Sequence, residues 1–230
     1  MNDQREQLLT RVRKALEVPA EKPAGHHDQA SEPRIAGEHS ATEWLPFVGA
    51  TAEERLALYA KNAKELTADF RLIEGGIPAL VSELREIAET EGWTGVATHA
   101  GELTEAAAGS LGLPVVRTEC GYDVDALEKC SAGITACEAL VAQTGSVLVT
   151  SRSSGGRALS VLPPHHVVVA RREQIVADMT EAYALLASRY AQSGYPSMIS
   201  FISGPSRTGD IERILVLGAH GPKRLTVLCI

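Results

Sequence analysis

The sequence predicts an α/β fold: a mixed, mostly parallel sheet flanked by helices, with an inserted β-hairpin. Three observations predict it. From residue 70 onward, short apolar runs alternate with helical periodicities, as in parallel strands joined by crossover helices. Two β-prone runs, ALVAQ and SVLVTS, flank Thr144–Gly145, where glycine supplies the positive φ of a hairpin turn. The run VVVA at 167–170 reads as a buried strand.

Residues 1–18 carry Leu8, Leu9, Val12, Ala15 and Leu16 on one helical stripe, and 19–41 are rich in Pro, Gly and charge. This predicts a helical arm and linker over 1–41, followed by one α/β domain over 42–230. Thr51 and Glu54 form a capping-box pattern before Leu56, Tyr59, Ala63, Leu66 and Phe70, so a helix is expected there. FRLIEG reads as a strand. A helix runs from Pro78 to Glu91, with proline in its first turn. Strands at 94–99 and 113–119 alternate with helices at 101–111 and 123–131. A loop precedes VVVA, and a long helix is expected over 173–191 through Ile175, Met179, Ala182, Leu185 and Leu186. SMISFISG and RLTVLCI read as the closing strands.

Composition limits the functions. The 230 residues are 44% hydrophobic and 22% charged, enough for one sizeable core. Net charge is −7, without the basic footprint of a nucleic-acid binder. No apolar run approaches the roughly 20 residues that span a bilayer, and the charged first residues lack a signal-peptide core. No membrane insertion and a cytoplasmic location are therefore expected. Cys120, Cys130, Cys137 and Cys229 match no zinc or iron–sulfur spacing and read as reduced core residues. No metal site and no cofactor are expected.

The segment ISGPSRTGDIERILVLGAHGP holds the main candidate site. Gly204 and Gly209 have the spacing of a phosphate-binding loop, but Asp210 and Ile211 stand where Lys and Ser/Thr belong. What remains is a strand-end loop feeding a helix near Ser206 or Thr208, whose free N–H groups and Arg207 would attract a small carboxylate or phosphate. Such a loop is expected at the carboxyl ends of the strands. Gly204, Ser206, Arg207 and Thr208 are the candidate ligand-binding residues; Ser206 or Thr208 could equally be a helix cap. His220, in a turn, is a candidate general acid or base, or a turn histidine bonding a carbonyl. Glu138 sits among apolar residues and reads as a base, a nucleophile or a buried partner for an arginine. Thr144, Gly145 and Ser146 either meet a ligand or only form the turn. His165–His166 reads as a loop-to-strand junction.

Three ordered blocks, GITACEALVAQTGSVLV, GRALSVLPPHHVVVARREQIV and ISGPSRTGDIERILVLGAHGPKRLTVLCI, together resemble the LUD-domain family, in its lactate-utilization C branch. The family often has Glu–Thr–Gly where Gln143–Thr144–Gly145 stand here. The resemblance implies a fold like that of phosphosugar isomerases, CoA transferases and formyltetrahydrofolate cyclo-ligases. It also implies a non-redox role in a system oxidising L-lactate to pyruvate, beside iron–sulfur partner subunits, and it transfers no catalytic residues. Two other functions remain open: a free-standing transferase, isomerase or cyclo-ligase acting on an acyl-CoA, sugar phosphate or folate, and a regulatory or scaffolding protein.

Overall fold

The computed structural model describes residues 47–119, 121–208 and 216–230, together with Thr10 and Lys14. Apart from those two residues, the expected arm and linker lie outside the described residues, as do Cys120, Gly209, Asp210 and Glu212. Trp44–Ile230 forms one compact unit, separate from Met1–Glu43.

Helix α1 (Ala52–Glu65) starts on the expected capping box: the Glu54 N–H donates to Thr51 Oγ1 at 3.2 Å, and the Thr51 N–H to the Glu54 carboxylate at 3.0 Å. Two orphan amides are thereby satisfied. The stripe expected to reach Phe70 ends earlier. Thr67 adopts φ 63°, which breaks the helix, and Phe70 belongs to strand β1 (Asp69–Leu72), its ring edge-on to Tyr59 at 5.1 Å.

The alternation then runs α2 (Gly76–Glu91), β2 (Val96–Thr98), α3 (Glu102–Gly109), β3 (Val115–Arg117), α4 (Val124–Glu128) and β4 (Ala132–Thr135). β5 (Ala139–Val141) and β6 (Ser146–Thr150) form the expected antiparallel hairpin, with Gly145 at φ 65°. β7 (His165–Ala170) starts two residues before VVVA, so both histidines are strand residues and both are buried.

The helix expected over 173–191 is shorter. Ile175–Val176 forms strand β8, parallel to β5, and α5 (Met179–Tyr190) begins after Asp178, whose side chain accepts the Glu181 N–H at 2.9 Å. The β-branched pair finds a sheet edge, and the aspartate supplies the cap that starts the helix. β9 (Ile199–Ile202) follows. Where a helix is expected to start near Ser206 or Thr208, Arg207–Thr208 forms β10, antiparallel to β11 (Val216–Leu217), with 209–215 outside the described residues; the closing strand β12 (Arg224–Cys229) follows.

Two sheets result. Six parallel strands lie in the order β1-β12-β7-β4-β2-β3, and four strands in the order β8-β5-β6-β9. Side-chain alternation on the central strand β7 assigns the layers. Val167 and Val169 pack with Leu80, Leu84 and Leu103 of α2 and α3 on one face. Val168 and Ala170 face Tyr59 and Ala63 of α1 together with Leu140 and Val149 of the smaller sheet. α5 covers the smaller sheet's other face through Ala182 and Leu186. With valines buried on both sides, β7 reads as a continuous apolar run, as strands inside parallel sheets do.

Candidate functional site

Over its described residues, the loop after β9 zips onto the turn before β12. The Ser206 N–H donates to Pro222 O at 2.9 Å, and the Gly218 N–H donates to Ser206 O at 2.9 Å. Gly204, at φ 84°, lies so close to α1 that a β-carbon there would come within 2.4 Å of Leu66 O. Its role is therefore close backbone approach within the protein. The Ser206 amide is spent on Pro222 and is not open to a ligand.

Arg207 is exposed and lines a cavity of 370 Å³. The cavity lies at the amino ends of β1, β7 and β12, where Asp69, His165 and Arg224 are each the first strand residue. The expected position at the carboxyl ends is thereby corrected. β9 belongs to the smaller sheet, so its loop is not a carboxyl-end loop of the parallel sheet. A larger hollow of 640 Å³ shares Glu91, His165, Lys223 and Arg224 with it.

Three cations line the first cavity: Arg207, Lys223 and Arg224. Its two acids are already engaged. Arg71 holds Asp69 at 2.8 Å, and Arg224 holds Glu91 at 2.5 Å. Among the described residues, Arg207 and Lys223 make no ion pair, so two positive charges remain unmatched. A guanidinium fork beside an ammonium suits a carboxylate or phosphate.

Glu91 also lines the cavity. It ends α2, where the helix dipole disfavours an acid. Burial raises its pKa, but the Trp93 indole N–H at 3.0 Å, His165 and Arg224 outweigh this and hold it below the ordinary carboxylate range. His165 Nδ1 lies 2.8 Å from Glu91 Oε2, and Nε2 lies 2.8 Å from Thr226 Oγ1; the Trp93 ring packs edge-on at 5.4 Å. Burial pushes the His165 pKa down, against the pull of Glu91. The sequence reading missed Glu91, His165, Lys223, Arg224 and Thr226 as site residues. The one local signal was an acid in the last turn of a helix.

The remaining candidates lie elsewhere. Glu138 is 2% exposed beneath α5: Thr150 Oγ1 donates to it at 2.7 Å, and the Tyr190 hydroxyl and the Arg189 guanidinium bond it as well. Of its three readings, this arrangement matches the partner for an arginine, both carboxylate oxygens being hydrogen-bonded. Gly145 packs under α1, where a β-carbon would meet Ala63 N at 2.7 Å, and Asn62 Nδ2 clamps the turn through Ala142 O and Gln143 O. Ser146 Oγ pairs with Ser203 Oγ at 2.7 Å, and the Thr144 hydroxyl is buried without a partner. Of the three, Gly145 makes the close contact with α1. His220 is exposed in the turn between β11 and β12 and does not line the cavity. The Thr208 backbone pairs with Val216.

Residues 48–230 match the family model of the LUD domain. A Lactate utilization protein C of Geobacillus kaustophilus is 35% identical over 109 residues, covering 47% of this chain and 45% of that protein. One of Deinococcus radiodurans is 34% identical over 122 residues, covering 53% and 56%. The chain thus spans about half the length of the curated relatives it matches. The crystal structure of a DUF162 family protein from Deinococcus radiodurans superposes with a TM-score of 0.59 at 23% identity, covering 79% of this chain and 99% of that one. At that identity the likeness speaks for the fold.

Proposed function

The chain belongs to the LUD domain family, and from that premise we propose that it serves in L-lactate utilization and binds a small carboxylate in the cavity beside Arg207. The relatives' name, Lactate utilization protein C, supports the system. The observation that carries the site is the pair of cations, Arg207 and Lys223, without an ion pair among the described residues, on a cavity whose own acids are paired. The iron–sulfur partner subunits implied by the resemblance belong to the same proposal. They would supply the redox chemistry, while this chain holds an anion.

The test is titration calorimetry of the full chain with acetate, L-lactate and inorganic phosphate. A charge-assisted hydrogen bond contributes about 1.5–3 kcal/mol, so Arg207→Gln should weaken carboxylate binding about tenfold or more. The urea midpoint should stay unchanged, because Arg207 is exposed. Unaltered affinity in the variant, or no anion binding by the parent chain, overturns the proposal.

A further inference from the structure

The hydrogen bonds around His165 have a direction, and the direction says what Thr226 presents to the cavity. Glu91, His165 and Thr226 come from α2, β7 and β12, and all three line the same 370 Å³ space. An ionised carboxylate can only accept hydrogen bonds. Glu91 is held in that form by the Trp93 indole and the Arg224 guanidinium. Facing it at 2.8 Å, His165 Nδ1 must therefore carry a proton. The imidazole is buried and neutral, so Nε2 is bare and accepts. Thr226, 2.8 Å from Nε2, must donate its hydroxyl proton there. A hydroxyl has one proton. Once that is spent, Thr226 has only lone pairs left for a ligand.

We infer that Thr226 is a specificity-determining residue: oriented by His165 and Glu91, it selects anions that carry a hydroxyl donor beside the carboxylate, 2-hydroxy acids, over 2-oxo acids. The inference rests on the carboxylate-binding reading of the cavity. With the carboxylate on Arg207 and Lys223, a hydroxyl on the adjacent carbon donates to Thr226 Oγ1. A keto oxygen at that position meets another acceptor, and neither can supply a proton. Sites built to bond a hydroxyl discriminate strongly against analogues that cannot provide one.

The experiment is titration of the full chain at neutral pH with L-lactate, pyruvate and propionate, which share a three-carbon carboxylate and differ at the second carbon. Lactate should bind about tenfold or more tightly than pyruvate, with propionate between them. Thr226→Val, close in shape, should bring lactate down to the level of propionate while propionate affinity holds. Thr226→Ser should keep the preference, because it keeps the hydroxyl. Circular dichroism reports whether the variants fold, and Thr226→Ala replaces the valine variant if that one does not. Equal affinity for lactate and pyruvate in the parent chain, or a preference that survives in Thr226→Val, sinks the selectivity and leaves carboxylate binding standing. Failure of all three acids to bind overturns both.

Discussion

The two edges of the parallel sheet each hold a buried histidine, and they use it differently. At the carboxyl edge, His99 follows β2. Its Nε2 accepts the Ala136 N–H at 3.3 Å, and its Nδ1 bonds Ala100 O at 2.9 Å. The loop over 151–157 presses on it, and Thr118 Oγ1 bonds Gly155 O at 2.8 Å. The place where open α/β sheets ordinarily receive ligands is here occupied by the protein's own loop. At the amino edge, His165 is bonded on both sides too, yet it borders a cavity with two cations unpaired among the described residues.

That contrast can be broken at its tightest point. Gly155 sits at φ 61°, and a β-carbon there would come within 2.3 Å of His99 Cβ. Gly155→Ala should therefore cost about 2–4 kcal/mol, from backbone strain and overpacking together. Urea denaturation reads this out, and a loss below about 0.5 kcal/mol would mean that the loop does not plug the edge.

Acid should separate the adjacent histidines of β7 from the bulk of the chain. Burial lowers the pKa of His165, and it lowers that of His166 to about 3, with the charge of His165 adding to the effect. In the unfolded chain both take protons near pH 6.5, so below that value the unfolded state binds more protons than the folded one. Stability is therefore full above about pH 6.5 and falls as the pH drops, by about 1.4 kcal/mol per unit for each histidine held neutral. For His166 the decline continues toward pH 3. Unfolding curves between pH 7.5 and 4 measure it, and His166→Asn should flatten the slope; an equal slope in the variant contradicts the assignment. The smallest effect belongs to Thr118→Val, which removes one hydrogen bond from the loop clamp. It should cost about 1 kcal/mol in urea denaturation and leave acetate binding intact. Weakened acetate binding would tie the two edges together.

Much of the fold was legible because its signals are local. The Thr51–Glu54 capping box, the glycine of the 144–145 turn and the VVVA run each need only neighbouring residues to act. The failures came where distant partners decided. Ile175 fits a helical stripe, but pairing with Leu140 made it a strand residue. Ser206 and Thr208 looked like helix caps, yet Pro222 and Val216 claimed their backbones. Glu138 was recognised as an acid out of place, but only the approach of Arg189 and Tyr190, 51 and 52 residues away, chose among its readings.

The sequence by itself determined the class of fold, the order of most elements and the presence of Arg207 in a loop of small residues, since periodicity and turn chemistry act over a few positions. Tertiary structure alone decided which cavity that arginine lines and which residues share it. Glu91 meets His165 across 74 residues and Thr226 meets His165 across 61 because β12 lies beside β7 in the sheet. Strand order in a parallel sheet is set by crossovers and by what each helix can bury, neither of which any short stretch of residues contains.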